Sequence, residues 1–135
     1  MKIPIEEINQ GFSYESLVSS YGYEIINKIE LGDYSGDIIM IVGLEGKYGL
    51  LTTGYGSCSG CDNLLGCHEH LKELDELRTR LCENTIFMPA TELIEYLDNN
   101  DWEGQYYGVC TDKKEFKDFL IQSKQEILFR HLARI

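Results

Sequence analysis

The sequence has no long apolar run. No stretch approaches the roughly 20 apolar residues that a membrane-spanning helix needs, and the opening residues MKIPIEEINQ lack the apolar core and cleavage site of a signal peptide. A glycine-rich phosphate loop is also missing, because Lys47 and Lys72 are wrongly spaced from the glycines. The lack of a membrane span and of a signal peptide predicts a cytoplasmic protein that does not associate with a membrane.

Basic residues are scarce as well. Twelve Lys and Arg stand against 23 Asp and Glu, which gives a formal charge of −11. Residues 1–110 hold 6 basic and 19 acidic residues, whereas residues 111–135 hold 6 basic and 4 acidic ones. Phosphate contacts supply most of the affinity for nucleic acids, so this balance argues against direct nucleic-acid binding. It predicts either a protein partner with a basic surface or charge that only keeps the chain soluble.

The length of 135 residues suits one domain, residues 1–135, that folds without disulfides. Five cysteines are an odd number, and thiols stay reduced in the cytoplasm. Metal or redox chemistry therefore explains a C-x-x-C spacing better than disulfide bonding does. Cys82 and Cys110 each follow apolar residues, so we expect both to be small buried side chains, although Cys110 could also be a distant ligand.

Three consecutive strands are predicted in the first half of the chain. Residues 23–31 alternate, with Tyr23, Ile25 and Ile29 on one face. Residues 37–44 are apolar on both faces, which indicates a central strand covered from both sides. Glu45 and Gly46 form a tight turn into a third strand at residues 47–55, so the three strands form an antiparallel meander.

Helices surround this meander. The predicted helices cover residues 13–20, 68–83, 91–97 and 112–133, and a short fourth strand covers residues 85–88. The last helix is expected to turn these side chains inward: Phe116, Phe119, Leu120, Ile127 and Leu128. Trp102 fits core or sheet-edge packing better than a role as an interface anchor. The fold class is therefore α+β, an antiparallel sheet of three to five strands packed against a long C-terminal helix and two or three shorter helices.

The densest cluster of chemically reactive side chains lies in residues 54–70, which read GYGSCSGCDNLLGCHEH. Zinc takes four tetrahedral ligands, and C-x-x-C is the spacing at which one turn presents two thiolates to the same ion. Cys58 and Cys61 form that pair. Candidates to complete the shell are Cys67, His68 and His70, so the sequence predicts a zinc site from these five residues.

Other interpretations of the same segment remain open. A C-x-x-C pair before a helix lowers the pKa of one thiol, so Cys58 could attack and Cys61 resolve in thiol chemistry. The run G-S-C-S-G also has the form of a nucleophile elbow, but that fold needs a parallel sheet and a longer chain. In the simplest interpretation the pair is only a tight turn, and Cys67 is a small buried residue.

The run YGSCSGCD, from Tyr55 to Asp62 and preceded by the strand KYGLLTTG, resembles a motif in small hypothetical proteins of phages and their host bacteria. The similarity covers residues 34–65. Since that group has no established activity, the resemblance implies a phage-type setting and transfers no mechanism. We therefore expect a non-enzymatic accessory protein that binds a host or phage protein, with a C-x-x-C loop that zinc could hold. The alternative is a thiol oxidoreductase or redox sensor using Cys58 and Cys61.

Overall fold

The computed structural model describes residues 2–8, 13–32, 36–55, 70–100, 102 and 113–133. Four strands form one antiparallel sheet in the order β1-β2-β3-β4, with bounds Glu24–Gly32, Gly36–Leu44, Lys47–Tyr55 and Ile86–Met88. Helices α1 to α4 span Tyr14–Ser20, Leu71–Glu83, Ala90–Asn99 and Lys113–Ala133, and a 3-10 turn spans Ile5–Glu7. The predicted α+β fold is confirmed, including the meander, the short fourth strand and the long C-terminal helix.

Strand β2 lies inside the sheet and is covered on both faces. Its side chains Ile38, Met40 and Val42 belong to one apolar cluster, and Ile39 and Ile41 belong to a second cluster on the opposite face. All five are buried. This two-sided burial explains why the strand is apolar at successive positions, and it confirms the predicted central strand.

A helical layer covers each face of the sheet. The first helical layer consists of the 3-10 turn, α1 and α2, whose buried side chains include Ile5, Leu17, Val18, Leu74 and Leu77. The second helical layer consists of α3 and α4, and its buried side chains include Leu93, Leu97, Phe116, Phe119 and Ile127. None of these described helices is long and apolar enough to span a membrane.

Strand β1 departs from the predicted alternation. Ile25 packs against the first cluster, whereas Ile29 is buried in the second. The register with β2 shifts between Ile25 and Asn27, so one extra residue reverses the faces of all side chains that follow. The prediction that Tyr23, Ile25 and Ile29 share one face is therefore wrong. After the bulge, Asn27 donates a 3.1 Å hydrogen bond to the buried hydroxyl of Ser123 on α4.

The turn between β2 and β3 carries the one non-glycine residue with positive φ among the described residues. Glu45 has φ 52° and Gly46 has φ 82°. Positive φ at both central positions matches the twist of a two-residue hairpin, but a glutamate reaches this region only with strain. The predicted tight turn is confirmed, with Glu45 in an unfavourable conformation.

Strand β4 approaches β3 closely at Gly49, which pairs with Phe87. A Cβ at Gly49 would lie 2.7 Å from Cγ2 of Thr85 and 3.0 Å from the carbonyl oxygen of Ile86. By contrast, the atom nearest to a Cβ at Gly54 would be 3.7 Å away. The short edge strand therefore depends on the missing side chain at position 49.

Helix α4 buries one face and exposes several large apolar side chains on the other. Phe116, Phe119 and Ile127 are buried as predicted, and Leu120 is partly buried. Leu128 was predicted to face inward, but it is exposed because it lies about 100° around the helix from Ile127. Exposed with it are Ile121, Phe129 and Leu132.

Candidate functional site

Residues 56–69, which we call the cysteine segment, lie in the sequence between strand β3 and helix α2. Strand β3 stays in register with β2 as far as the pair Gly36 and Tyr55, and Leu51 of β3 is buried. Helix α2 begins at Leu71, and its next turn places Leu74 fully inside the first cluster. The sheet and α2 thus fix the residues on either side of the cysteine segment, Tyr55 and His70.

Of the five predicted zinc ligands, one lies within the described residues. His70 is the residue that precedes α2, and it is exposed, with φ −121° and ψ 102°. Its carbonyl oxygen accepts a 2.9 Å hydrogen bond from the backbone nitrogen of Leu74, and its side chain makes no cap. The imidazole is therefore accessible at the end of the segment.

The remaining predicted ligands fall outside the described residues: Cys58, Cys61, Cys67 and His68. The same holds for Cys110 and for Asp112, the first residue of the predicted C-terminal helix. Within the described ranges, no three His, Cys, Asp or Glu side chains are grouped so as to hold a metal ion. The zinc site from Cys58, Cys61, Cys67, His68 and His70 remains a prediction.

Cys82 is a structural residue. Its side chain has no exposed area and belongs to the first cluster. Burial raises the pKa of its thiol to about 12, although the nearby cations Arg78 and Lys2 lower it. The thiol therefore stays protonated and weakly nucleophilic at neutral pH. The prediction of a small buried side chain is confirmed for Cys82.

Tyr23 packs in the same apolar cluster as Cys82. Its hydroxyl donates a 3.0 Å hydrogen bond to the carbonyl oxygen of Cys82, and its ring meets Phe87 edge to face at 4.9 Å. Burial, with smaller contributions from Cys82, Tyr21 and Glu83, raises the pKa of Tyr23 to about 12. Its hydroxyl therefore remains protonated and serves as a hydrogen-bond donor.

Sequence reasoning missed a buried charge on α2. The Arg78 side chain is 2 % exposed. Its guanidinium donates to the carbonyl oxygen of Ile3, to Ser20 Oγ at 3.0 Å and to Asp75 Oδ1 at 2.8 Å, while Nε has no partner within the described residues. The signal was present in the sequence, because position 78 lies between Leu74 and Leu81 on the apolar stripe of the helix.

Arg78 joins the N-terminal residues to the first helical layer. It reaches Ile3, whose backbone nitrogen also donates a 2.6 Å hydrogen bond to the carbonyl oxygen of Ser20. The ring of Tyr21 lies near two cations, with Lys2 Nζ at 5.2 Å and Arg78 Cζ at 6.0 Å from its centroid. These contacts therefore hold residues 2 and 3 against α1 and α2.

Trp102 packs in the second cluster, as its sequence context predicted. Its indole nitrogen donates a 3.0 Å hydrogen bond to the carbonyl oxygen of Leu97, and its ring lies 5.4 Å from that of Phe116. These contacts join α3 to α4 from the inside. The tryptophan is therefore a core residue.

Comparison of the chain with protein-family models, with curated proteins and with solved structures finds no match.

Proposed function

We propose that this chain is a non-enzymatic, phage-type accessory protein that acts by binding another protein with a basic surface. The observation that supports the proposal is the uneven charge of the two helical layers. Residues 2–8, 13–20 and 70–83 of the first layer hold seven acidic and four basic residues, whereas α3 and α4 of the second layer together hold six acidic and five basic ones. The first layer is thus the more acidic of the two, with a formal charge of −3 against −1.

Burial makes the first helical layer more acidic on its outside than the count implies. Arg78, one of the four basic residues of this layer, is buried, and its guanidinium donates hydrogen bonds to Ser20 and Asp75. Six carboxylates are exposed on this layer: Glu6, Glu7, Glu15, Glu73, Glu76 and Glu83. A surface of one sign raises the association rate of a partner of the opposite sign and suppresses binding of unsuitable partners.

In this proposal the cysteine segment supplies the shape of the binding surface. The segment enters α2, the helix that carries Glu73 and Glu76, so it is adjacent in sequence to the acidic layer. Cys58 and Cys61 would supply two thiolates to zinc, and Cys67, His68 and His70 are the candidates for the remaining positions. A bound zinc ion would restrict a glycine-rich loop and so reduce the entropy lost on binding.

The test is affinity purification from a lysate of the source cells. The double variant Glu73→Lys, Glu76→Lys reverses charge on α2, and Glu92→Lys, Glu95→Lys makes the same change at exposed positions of α3. We expect a stoichiometric protein partner that the α2 variant loses and the α3 variant keeps. Loss in both variants, or in neither, would contradict recognition by the first helical layer.

A further inference from the structure

Residues 2–8, which we call the strap, contact α1 and α2 and are attached to them at few points. Within the strap, Ile5 is buried and Ile8 is half-buried. The other five residues of the strap are exposed: Lys2, Ile3, Pro4, Glu6 and Glu7. The strap therefore fills a groove of the first helical layer with a single fully inserted side chain, and most of its surface faces solvent.

The walls of this groove hold the strap through the backbone of one residue. The nitrogen of Ile3 donates a 2.6 Å hydrogen bond to the carbonyl oxygen of Ser20 on α1, and the carbonyl oxygen of Ile3 accepts a hydrogen bond from Arg78 on α2. Both polar backbone groups of Ile3 are thus paired, while 43 % of the residue's area is open to solvent. Contacts of this kind recognise an extended backbone and place little demand on the side chain.

Ile5 anchors the strap in the core. It belongs to the first apolar cluster, together with Leu17 of α1 and Leu74 of α2. The preceding residue, Pro4, has φ −55° and ψ 144°, close to the polyproline II conformation, and its ring fixes that φ. The groove therefore fits a short extended segment in which an aliphatic residue follows a proline.

Pockets border the strap on both sides. Residues of the strap and of α1, among them Ile8 and Ser16, line a pocket of about 570 Å³. Residues of the strap and of α2, among them Pro4 and Leu71, line another of about 380 Å³. Acidic and basic side chains line this second pocket together, so charge does not select its occupant. The groove is wider than the strap, and a segment with larger side chains at its exposed positions would still fit.

We propose that the groove between α1 and α2 binds an extended peptide of another protein, and that the strap occupies this site as an autoinhibitory contact. An attachment of one buried side chain and two backbone hydrogen bonds allows the strap to open locally while the sheet stays folded. An incoming peptide with an aliphatic residue on each side of a proline would bond Ser20 and Arg78 through its backbone and replace Ile5 with its second aliphatic side chain. Because the groove reads backbone and shape, the inference does not depend on the acidic surface of the proposed function.

Peptide binding to the full chain tests the groove. The probe is a fluorescent peptide MKIPIEEI, the sequence of residues 1–8, labelled at its C-terminal end. Ile5→Ala removes the anchor of the strap, so this variant should bind the probe about tenfold or more tighter than the wild-type chain, whose strap competes. Ile3→Ala is the matched control, because it changes an exposed side chain of the strap and keeps the backbone hydrogen bonds. It should bind the probe as weakly as the wild type does.

Two altered probes test which contacts the groove recognises. A peptide with alanine in place of Ile5 lacks the anchor, and a peptide methylated on the nitrogen of Ile3 lacks the donor to Ser20. Each should bind the Ile5→Ala chain about tenfold or more weakly than the unaltered probe. A folded Ile5→Ala chain that binds the probe no better than the wild type would overturn the proposal. Equal binding of all three peptides would overturn it as well.

Native-state hydrogen exchange of the wild-type protein tests whether the strap opens on its own, and it needs no variant. The amide of Ile3 should exchange about ten times faster or more than that of Ile41 in the central strand β2. Its rate should depend little on low urea concentrations, because local opening exposes little surface. Equal rates and equal urea dependence at the two amides would mean that the strap leaves only when the whole chain unfolds. That result would overturn the proposal even if Ile5→Ala fails to fold.

Discussion

Replacing Arg78 by methionine tests how the N-terminal residues are held. Methionine preserves most of the volume of the buried side chain and removes its hydrogen bonds. The carbonyl oxygen of Ile3 and the hydroxyl oxygen of Ser20 would lose a charged donor. Each such bond contributes about 1.5–3 kcal/mol, and the values are not additive.

Two effects make the expected loss of unfolding free energy smaller than the sum of these bonds. The bond to Asp75 adds little, because that carboxylate is 49 % exposed and can return to water. Nε of Arg78 has no partner among the described residues, and its burial costs roughly 1 kcal/mol in the folded state, which the substitution recovers. We therefore expect Arg78→Met to lower the free energy of unfolding by about 2–4 kcal/mol.

Urea denaturation measures the loss, and hydrogen exchange locates it. Amide protection should fall first at Ile3, whose backbone nitrogen bonds Ser20. The control is Arg80→Met, which changes an exposed arginine on the same helix and should alter stability by less than about 0.5 kcal/mol. Equal stability of the two variants would refute a structural role for the buried guanidinium.

Three further changes probe the hairpin, the sheet edge and the core. Glu45→Asn should raise the free energy of unfolding by about 0.5–1 kcal/mol, because asparagine tolerates positive φ, and a lower melting temperature would contradict this. Gly49→Ala should destabilise by about 1–3 kcal/mol because its Cβ would overlap β4, while Gly54→Ala should change stability by less than about 0.5 kcal/mol. Cys82 and Tyr23 have folded pKa values of about 12 against ordinary values of 9.0 and 10.0, so the folded state retains protons that the unfolded state releases. The free energy of unfolding should therefore fall as pH rises from about 9 to 12, and Tyr23→Phe should show a smaller fall; an identical pH dependence would exclude Tyr23 as a source.

Much of the fold follows from local patterns. The apolar run of β2 predicted a strand buried on both faces, and Ser13 predicted the start of α1, where Ser13 and Ser16 form reciprocal side-chain to backbone hydrogen bonds. Gly22 follows that helix with φ 108°, a conformation that glycine adopts without strain. Such features depend on neighbouring residues alone, so sequence order contains the information.

Features that depend on distant contacts escaped prediction. The bulge in β1 reverses the faces of the strand, and it became visible only through pairing with β2 and the hydrogen bond from Asn27 to Ser123 on α4. In the sequence Arg78 resembles any other charged helix residue, because its hydrogen-bond partner Ser20 lies 58 positions earlier. The exposure of Leu128 was not predicted for a related reason, because the orientation of α4 about its own axis is set by its packing on the sheet.

We propose that Cys58 and Cys61 hold a metal ion in the segment between β3 and α2. Elemental analysis of natively purified protein tests it most directly. The account predicts about one equivalent of zinc per chain, lost together with thermal stability in Cys58→Ser. Cys82→Ala is the matched control, because it should lose stability through its core cavity and keep the metal. Metal-free protein whose Cys58→Ser variant is fully stable would contradict the claim.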